Sequence, residues 1–315
     1  MPGRLAGSWA LRLAVTAGIL GWMATRIDMG AAARAVGAIS RVHLAAVLGL
    51  VAIDRLVMIL RWVLLLRAAG VAVSARDAAR IFLTSSFVGS FLPAGVGGDA
   101  ARAWSLAQVT SRLGDALASV LVDRLLGVVA LAAMGGVGLA VWAPDGVSAP
   151  RLAAGIAVAG LTCAAAFWAD ALLRAVVPAD RHGGAIVRRL LRVADAVAHY
   201  RGHRAALTVV MGWSIVVQVL RIVQAYLLGL GLGLSVPFAY YLLVMPLGLL
   251  MLLLPVSVSG FGVPQGVIVW LLRPVGVPDA QSFALSTLIV LTGLAGNLPG
   301  LFLWLRTPAR TDAPR

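Results

Sequence analysis

The sequence predicts an all-α integral membrane protein, a polytopic bundle of about eight hydrophobic helices. Hydrophobic residues make up 61% of the 315-residue chain and charged residues 12%, whereas a soluble domain carries about 25% charged residues. Several apolar stretches approach or exceed the ~20 residues that a helix needs to cross about 30 Å of hydrocarbon. A transmembrane β-barrel would instead show short segments of alternating polarity. One helix-breaking string also occurs twice, about half the chain apart.

Six apolar stretches are predicted to cross the membrane completely. They are residues 11–24, 43–66, 117–142, 152–173, 207–229 and 284–305. The first follows Arg4 and Arg12 and resembles a signal peptide. Because further spans follow it, we expect an uncleaved first helix.

The distribution of arginine orients these spans. The net charge is +14 and every basic residue other than histidine is Arg. Such a charge can indicate nucleic-acid binding, but in a membrane protein it indicates cytoplasmic loops that touch anionic inner-leaflet lipids. The strongest basic cluster, residues 174–204, is therefore placed in the cytoplasm. This orientation predicts a bacterial inner-membrane protein with both termini cytoplasmic and no nucleic-acid partner.

Part of this basic segment has the pattern of an amphipathic helix. Apolar Ile186, Leu190, Val193 and Val197 recur at helical spacing in residues 184–200, with arginines opposite. Such a helix can lie on the anionic inner leaflet. The same pattern also fits an ordinary cytoplasmic linker helix, so both interpretations stay open.

Two apolar segments do not fit a simple crossing. With the basic cluster inside, residues 81–107 must enter and leave from the cytoplasm, and residues 238–272 must enter and leave from outside. The predicted topology is thus six spans plus two re-entrant hairpins. The alternative topology has eight ordinary crossings and puts the basic cluster outside.

The repeated string lies in these same two segments. It reads LPAGVGG at residues 92–98 and LPVSVSG at residues 254–260. Proline and glycine break a helix. Broken backbone at membrane depth persists only where it is buried in protein or lines a wet cavity. Both strings are therefore expected near the centre of the bundle.

The similarity continues upstream of each string and predicts an inverted-topology repeat. LRWVLLLRAAGVAVS begins at Leu60 and LRIVQAYLLGLGLGLS at Leu220. Arg, Gly, Ser and Pro follow in the same order, with spacings that differ by one residue; coincidence in an apolar chain is the alternative. The halves would be residues 43–142 and 205–306 of a single domain, 1–306, with a short tail at 307–315. Such repeats place a substrate site at their interface.

Charged residues within spans are the candidate site residues. Each costs roughly 2.5–3.5 kcal/mol at a helix centre, so it needs a partner or a function. A helix restarting near Asp99 would direct amides into the cavity. An anion site could then use arginines, which grip phosphate with two hydrogen bonds. The arginines are Arg61, Arg102, Arg124 and Arg221. Interhelical ion pairs and arginines reaching the interface are the alternative.

Other function classes lack their motifs. GVGGD does not end in the Gly-Lys-Ser/Thr of a P-loop, and GFGVPQG does not fit a dinucleotide fingerprint. One cysteine, Cys163, allows no internal disulfide. We find no catalytic motif or soluble catalytic domain, so we expect no cofactor, no metal and no enzyme activity.

The motifs together resemble the membrane region of lysylphosphatidylglycerol synthases, a flippase-like family. The resemblance covers about residues 10–306. It rests on LRW at 60–62, FLPAGVGGDAARAW at 91–104, VDRLLG at 122–127 and LPVSVSGFG at 254–262. The aminoacyl-transferase domain of the bifunctional members is absent. The resemblance implies a domain that moves a lipid between leaflets, and stand-alone members are linked to varied lipids, including hopanoid and polyprenol pathways.

The resemblance also carries over site residues. Those at the family's motif positions are Pro93, Gly97, Gly98, Asp99, Arg102, Asp123, Arg124, Pro255, Gly260 and Gly262. The family often has a basic residue and a Glu after the second string, where this chain has Pro264 and Gln265. The neutral Gln265 weakens any proton-coupled mechanism that rests on this position.

We therefore expect translocation of an anionic phospholipid or a polyprenyl or isoprenoid-type lipid. Two other functions remain possible. An intramembrane lipid-modifying enzyme would need Asp99 and Asp123 as its acid–base pair. An accessory scaffold would bind a lipid-synthesis enzyme as partner through its surface.

Overall fold

The protein is all-helical in the part of the chain that the structure describes. The computed structural model describes residues 21, 25, 27–92, 97–142, 149–176, 185–252 and 262–306. Within these ranges the helices are α1 (Met29–Gly37), α2 (Arg41–Ala68), α3 (Ala75–Gly89), α4 (Gly97–Thr110), α5 (Leu113–Val141), α6 (Ala149–Ala165), α7 (Ala169–Val176), α8 (Ala185–His199), α9 (Arg204–Gly231), α10 (Phe238–Leu252), α11 (Val263–Leu272), α12 (Asp279–Ala295) and α13 (Leu298–Leu305). The predicted all-α membrane class is confirmed.

Five helical stretches in the described ranges are long and apolar enough to cross a membrane. They are Arg41–Ala68, Leu113–Val141, Ala153–Val176, Arg204–Gly231 and Asp279–Leu305. Each contains or closely overlaps one of the spans predicted from the sequence. The predicted span at residues 11–24 falls outside the described residues except for Gly21. The chain is thus a multi-pass helical membrane protein, and the total of six crossings stays a prediction.

The two segments predicted as re-entrant hairpins form pairs of shorter helices. The longest, α3 and α10, have 15 residues each, about 22 Å of helix, which is less than the hydrocarbon thickness. Helix α3 packs on α4, and α10 packs on α11. A Cβ atom on Gly89 would lie 2.5 Å from the Gly98 Cα atom, so glycine allows α3 and α4 to approach. The connections, residues 93–96 and 253–261, lie outside the described part.

The two longest contacts between helices involve central elements of both halves. Helices α2 and α9 have 28 residues each and pack along one another. Both end before a glycine with left-handed backbone, Gly70 with φ 65° and Gly233 with φ 76°. The sequence comparison matched Gly70 with Gly231. Because φ is positive at Gly233, the structural equivalent lies two residues later.

The outer helices exchange partners between the halves. Helix α5 packs on α10, and α13 packs on α3. A Cβ atom on Gly138 of α5 would lie 2.4 Å from the Leu242 carbonyl carbon, and one on Gly300 of α13 would lie 2.1 Å from the Leu83 carbonyl oxygen. Each long segment therefore meets the first hairpin helix of the opposite half at a glycine.

Helix α8 lies within the basic segment predicted to be amphipathic. Its buried side chains are Leu191, Ala194 and Val197, and it packs on α5. Leu190, predicted for the apolar face, is 52% exposed, so the packed face is rotated from the predicted one. Arg188 and Arg192 are exposed on the outer side. The helix is therefore held against the bundle, with its basic face turned away from it.

Candidate functional site

A cavity of about 440 Å³ lies between the central helices and both short-helix pairs. Its walls come from α2, α3, α4, α5, α9, α10 and α12. Polar and charged side chains occupy one part of the wall, and apolar side chains such as Met245, Leu249 and Ile289 occupy another. A cavity with both kinds of wall suits an amphipathic ligand.

Asp123 on α5 is the centre of a buried ion-pair network. Arg61 from α2 places its Nη2 atom 2.7 Å from Asp123 Oδ1, and Arg102 from α4 places Nη1 3.2 Å from Asp123 Oδ2. Arg61 also donates to Ser214 Oγ on α9 at 3.1 Å. All three charged groups are at most 6% exposed in their side chains. Buried charges need such pairing because an isolated one is costly.

Asp99, in the first turn of α4, extends this network towards a more open part of the cavity. It accepts from Arg102 Nη2 at 3.1 Å, the i, i+3 pair that the sequence indicated. It also accepts a short hydrogen bond from Arg124 Nε on α5. The Arg124 side chain is 40% exposed, which makes it more accessible than Arg61 or Arg102. The guanidinium of Arg102 lies 5.2 Å from the ring centroids of both Trp62 and Phe82, which adds cation–π attraction.

A second network surrounds Asp54 on α2. Its carboxylate accepts from Arg55 Nη1 at 3.1 Å and from Arg221 Nε of α9 at 3.3 Å. Arg55 also donates from Nη2 to the Gly293 carbonyl of α12 at 3.1 Å. The sequence showed no partner for Arg221, because its partner lies 167 positions away in the chain.

The charges that line the cavity do not cancel. Five arginines and three aspartates line it among the described residues, which leaves a formal charge of +2. The arginines are Arg55, Arg61, Arg102, Arg124 and Arg221, and the aspartates are Asp54, Asp99 and Asp123. A positive cavity of this kind favours an anion, since the surrounding protein and lipid screen charge weakly.

Neutral amides complete the polar wall. Gln218, Arg221 and Gln224 follow one another at intervals of three on one face of α9, and Asn297 lies between α12 and α13. Gln218 Nε2 donates to the Gly127 carbonyl at 3.3 Å, and Asn297 Nδ2 donates to Ser90 Oγ at 2.9 Å. The buried Gln218 Oε1, Gln224 Nε2 and Asn297 Oδ1 atoms have no hydrogen-bond partner within the described ranges. Buried polar atoms normally have partners, so these are available to a ligand or to water.

The structure brings most of the predicted site residues to this cavity. Those that line it are Arg61, Gly98, Asp99, Arg102, Asp123, Arg124 and Arg221. Gly97 begins α4 beside them. Gly262 and Gln265 lie at the start of α11, where Gln265 Oε1 accepts from the Gly262 amide at 2.6 Å, and neither is among the lining residues. Pro93, Pro255 and Gly260 lie outside the described residues.

Several lining residues were missed by the sequence analysis. Arg55 was expected to be a structural or interface arginine, yet it lines the cavity. Asp54 and Asn297 were not candidates, and the two glutamines were noted only as neighbours of Arg221. Their spacing of three on either side of an intramembrane arginine was the available signal. In the described ranges, no group of three or more His, Cys, Asp or Glu residues is placed to hold a metal ion.

Comparison with known proteins identifies the family. The chain matches the family described as the lysylphosphatidylglycerol synthase TM region over residues 9–300, nearly its whole length. No curated protein and no solved structure gave a match. The matched range includes every charged residue of the cavity. The chain therefore belongs to the family of the lysylphosphatidylglycerol synthase transmembrane region.

Proposed function

We propose that this protein translocates an anionic lipid across the bacterial inner membrane. The observation that carries the proposal is the cavity with a formal charge of +2 inside an apolar helical bundle. Charged groups are expensive at membrane depth, and they commonly mark a substrate path. A lipid phosphate would compensate the excess charge, while apolar residues of the wall would accommodate the adjoining acyl or isoprenoid chains.

Arg124 is the residue proposed to meet the phosphate first. It is the more exposed arginine of the Asp99 pair, with 40% of its side chain exposed. Arg102 lies behind it, between Asp99 and Asp123. A phosphate at Arg124 would therefore draw on a connected set of arginines that three different helices hold in place.

An inverted repeat would provide alternating exposure of the cavity. The starts of α2 and α9 are 163 residues apart, as are those of α3 and α10. Gln218 lies 163 residues after Arg55, and Gly293 lies 166 after Gly127, the separation of the starts of α5 and α12. Arg55 donates to the Gly293 carbonyl, and Gln218 donates to the Gly127 carbonyl. This exchange of equivalent contacts supports two related halves that move against each other.

The contacts of the aspartates favour transport over catalysis. Asp99 and Asp123 each accept hydrogen bonds from two arginines. These contacts occupy the oxygens that an acid–base mechanism would require. In the proposed topology both termini and the basic segment face the cytoplasm, where arginine-rich surfaces meet anionic lipids.

Translocation is tested in liposomes that contain the purified protein and a fluorescent anionic phospholipid. The fraction of fluorophore accessible to a membrane-impermeant quencher reports movement between leaflets. We expect Arg124→Gln to slow this movement roughly tenfold, as expected for loss of a charge-assisted hydrogen bond. The matched control is Arg112→Gln, which changes a 68% exposed arginine just before the same helix.

The outcomes separate the function from the residue assignment. Unchanged movement by a folded Arg124→Gln variant would exclude the role of Arg124. If the unmodified protein moves no anionic or polyprenyl phosphate lipid faster than empty liposomes do, translocation itself is contradicted.

A further inference from the structure

The cavity has no carboxylate available for a cationic headgroup among its described residues. Asp54 accepts from Arg55 and Arg221, Asp99 from Arg102 and Arg124, and Asp123 from Arg61 and Arg102. An added ammonium group would meet a wall that already carries an excess of two positive charges. Like charges at short range repel strongly where screening is weak. An aminoacylated lipid is therefore disfavoured.

The same cavity does offer neutral hydrogen-bonding groups. Gln218 Oε1 and Asn297 Oδ1 are acceptors without partners, and Gln224 Nε2 is a donor without a partner, within the described ranges. Gln218 is only 3% exposed. A hydroxyl group both donates and accepts one hydrogen bond or more, so several hydroxyls can satisfy this mixture. An apolar or purely ionic headgroup cannot do so.

The amides lie beside the charged networks. Gln218 and Gln224 flank Arg221 on one face of α9, and Arg221 contacts Asp54. A headgroup that places its phosphate against the arginines can therefore reach the amides with the atoms beyond the phosphate. These amides belong to the second half of the chain, whereas four of the five arginines belong to the first.

We propose that the substrate is a phosphate lipid whose headgroup carries hydroxyl groups and no positive charge, such as a polyol or sugar phosphate. The arginines bind the phosphate, and Gln218, Gln224 and Asn297 bind the hydroxyls. This inference rests on the proposed function, since it names the substrate class of the same cavity. It also separates this chain from any role in carrying an aminoacylated lipid.

Three lipids with identical acyl chains test the proposal on the unmodified protein. Phosphatidylglycerol carries hydroxyls, phosphatidylmethanol has the same charge without hydroxyls, and lysylphosphatidylglycerol carries hydroxyls with a cationic headgroup. Competition for the purified protein is measured by native mass spectrometry, and movement is measured in liposomes. We expect phosphatidylglycerol to be retained about threefold to tenfold more than phosphatidylmethanol, as one or two hydrogen bonds would give. We expect lysylphosphatidylglycerol to be retained least.

A variant assigns the preference to the amides. Gln224→Leu should reduce retention of phosphatidylglycerol to that of phosphatidylmethanol and leave phosphatidylmethanol unchanged. Gln108→Leu is the matched control, since Gln108 is exposed on α4 and does not line the cavity. If Gln224→Leu does not fold, the lipid comparison on the unmodified protein still decides the proposal.

Each outcome has one meaning. Equal retention and movement of phosphatidylglycerol and phosphatidylmethanol would overturn the hydroxyl preference while leaving anionic-lipid translocation intact. Preferred retention of lysylphosphatidylglycerol would overturn the exclusion of cationic headgroups. Failure to retain or move any of these lipids would contradict the proposed function itself.

Discussion

Arginine residues in this cavity differ in what they contribute. Arg61 is 4% exposed, and it joins α2, α5 and α9 through Asp123 and Ser214. Arg124 also pairs with an aspartate, but much of its side chain remains exposed. Burial therefore separates an arginine that holds helices together from one that is able to meet a ligand.

This difference predicts that Arg61→Ala destabilises the protein. The substitution removes a partner of the buried Asp123 and leaves Ser214 without its donor. Breaking a buried pair costs about 3–5 kcal/mol, and we expect a clear fall in the melting temperature in detergent. Arg67→Ala, at an exposed position on the same helix, is the control. Equal melting temperatures for the two variants would refute the structural role of Arg61.

At the scale of helices, close approach depends on glycine. Without a side chain, Gly138 lets α5 meet the backbone of α10, and Gly300 lets α13 meet α3. Helix packing in membranes is driven by such close contact, because lipid is as apolar as the side chains. These contacts connect the two halves around the cavity.

Gly138→Ala is predicted to force α5 and α10 apart. The added Cβ atom would lie 2.4 Å from the Leu242 carbonyl group, a distance that requires movement of backbone. We expect a loss of about 1–3 kcal/mol, the usual range for overpacking, measured as a lower melting temperature. The control is Gly136→Ala on the same helix, where no atom lies within 4 Å. Loss of stability in both variants alike would show that the close contact is not the cause.

Across the whole molecule, the arrangement of the chain in the membrane decides how the cavity is reached. The predicted topology puts the basic helix α8 inside and the loop before α10 outside. Eight ordinary crossings would reverse both. A cysteine at each place distinguishes the two topologies, because Cys163 is the only natural cysteine and can be replaced.

We expect opposite labelling of two single-cysteine variants in intact cells. In a Cys163→Ala background, Ser235→Cys should react with an impermeant maleimide from outside, and Arg192→Cys only after permeabilisation. Both positions are exposed in the structure. Detection by mass shift of the purified protein gives the result directly. The reverse pattern would support the topology with eight crossings.

Relative movement of the halves is tested by a tether across the cavity. Asn297 donates to Ser90 Oγ at 2.9 Å and so connects the junction of α12 and α13 with the end of α3. With Cys163 replaced, cysteines at positions 90 and 297 joined by a short bis-methanethiosulfonate should stop lipid movement. Reduction should restore it. Full movement with the tether in place would exclude rocking of the halves at this contact.

Much of the membrane architecture follows from the sequence alone. Apolar length, arginine distribution and two Leu-Pro strings predicted the helical class and all five long helical stretches in the described ranges. These features are readable because each depends on residues close together in the chain. The candidate arginines were also found this way, since charge within an apolar stretch is a local signal.

Only the tertiary structure decided how those charges combine. The sequence placed Asp54 and Arg61 on one helix face, yet Asp54 pairs with Arg55 and Arg221, and Arg61 pairs with Asp123. It also left Gln218, Gln224 and Asn297 without a function. Partners that are 62 and 167 positions apart meet only when the helices pack. Net charge and unpaired amides are properties of the assembled cavity, because both depend on which groups already have partners.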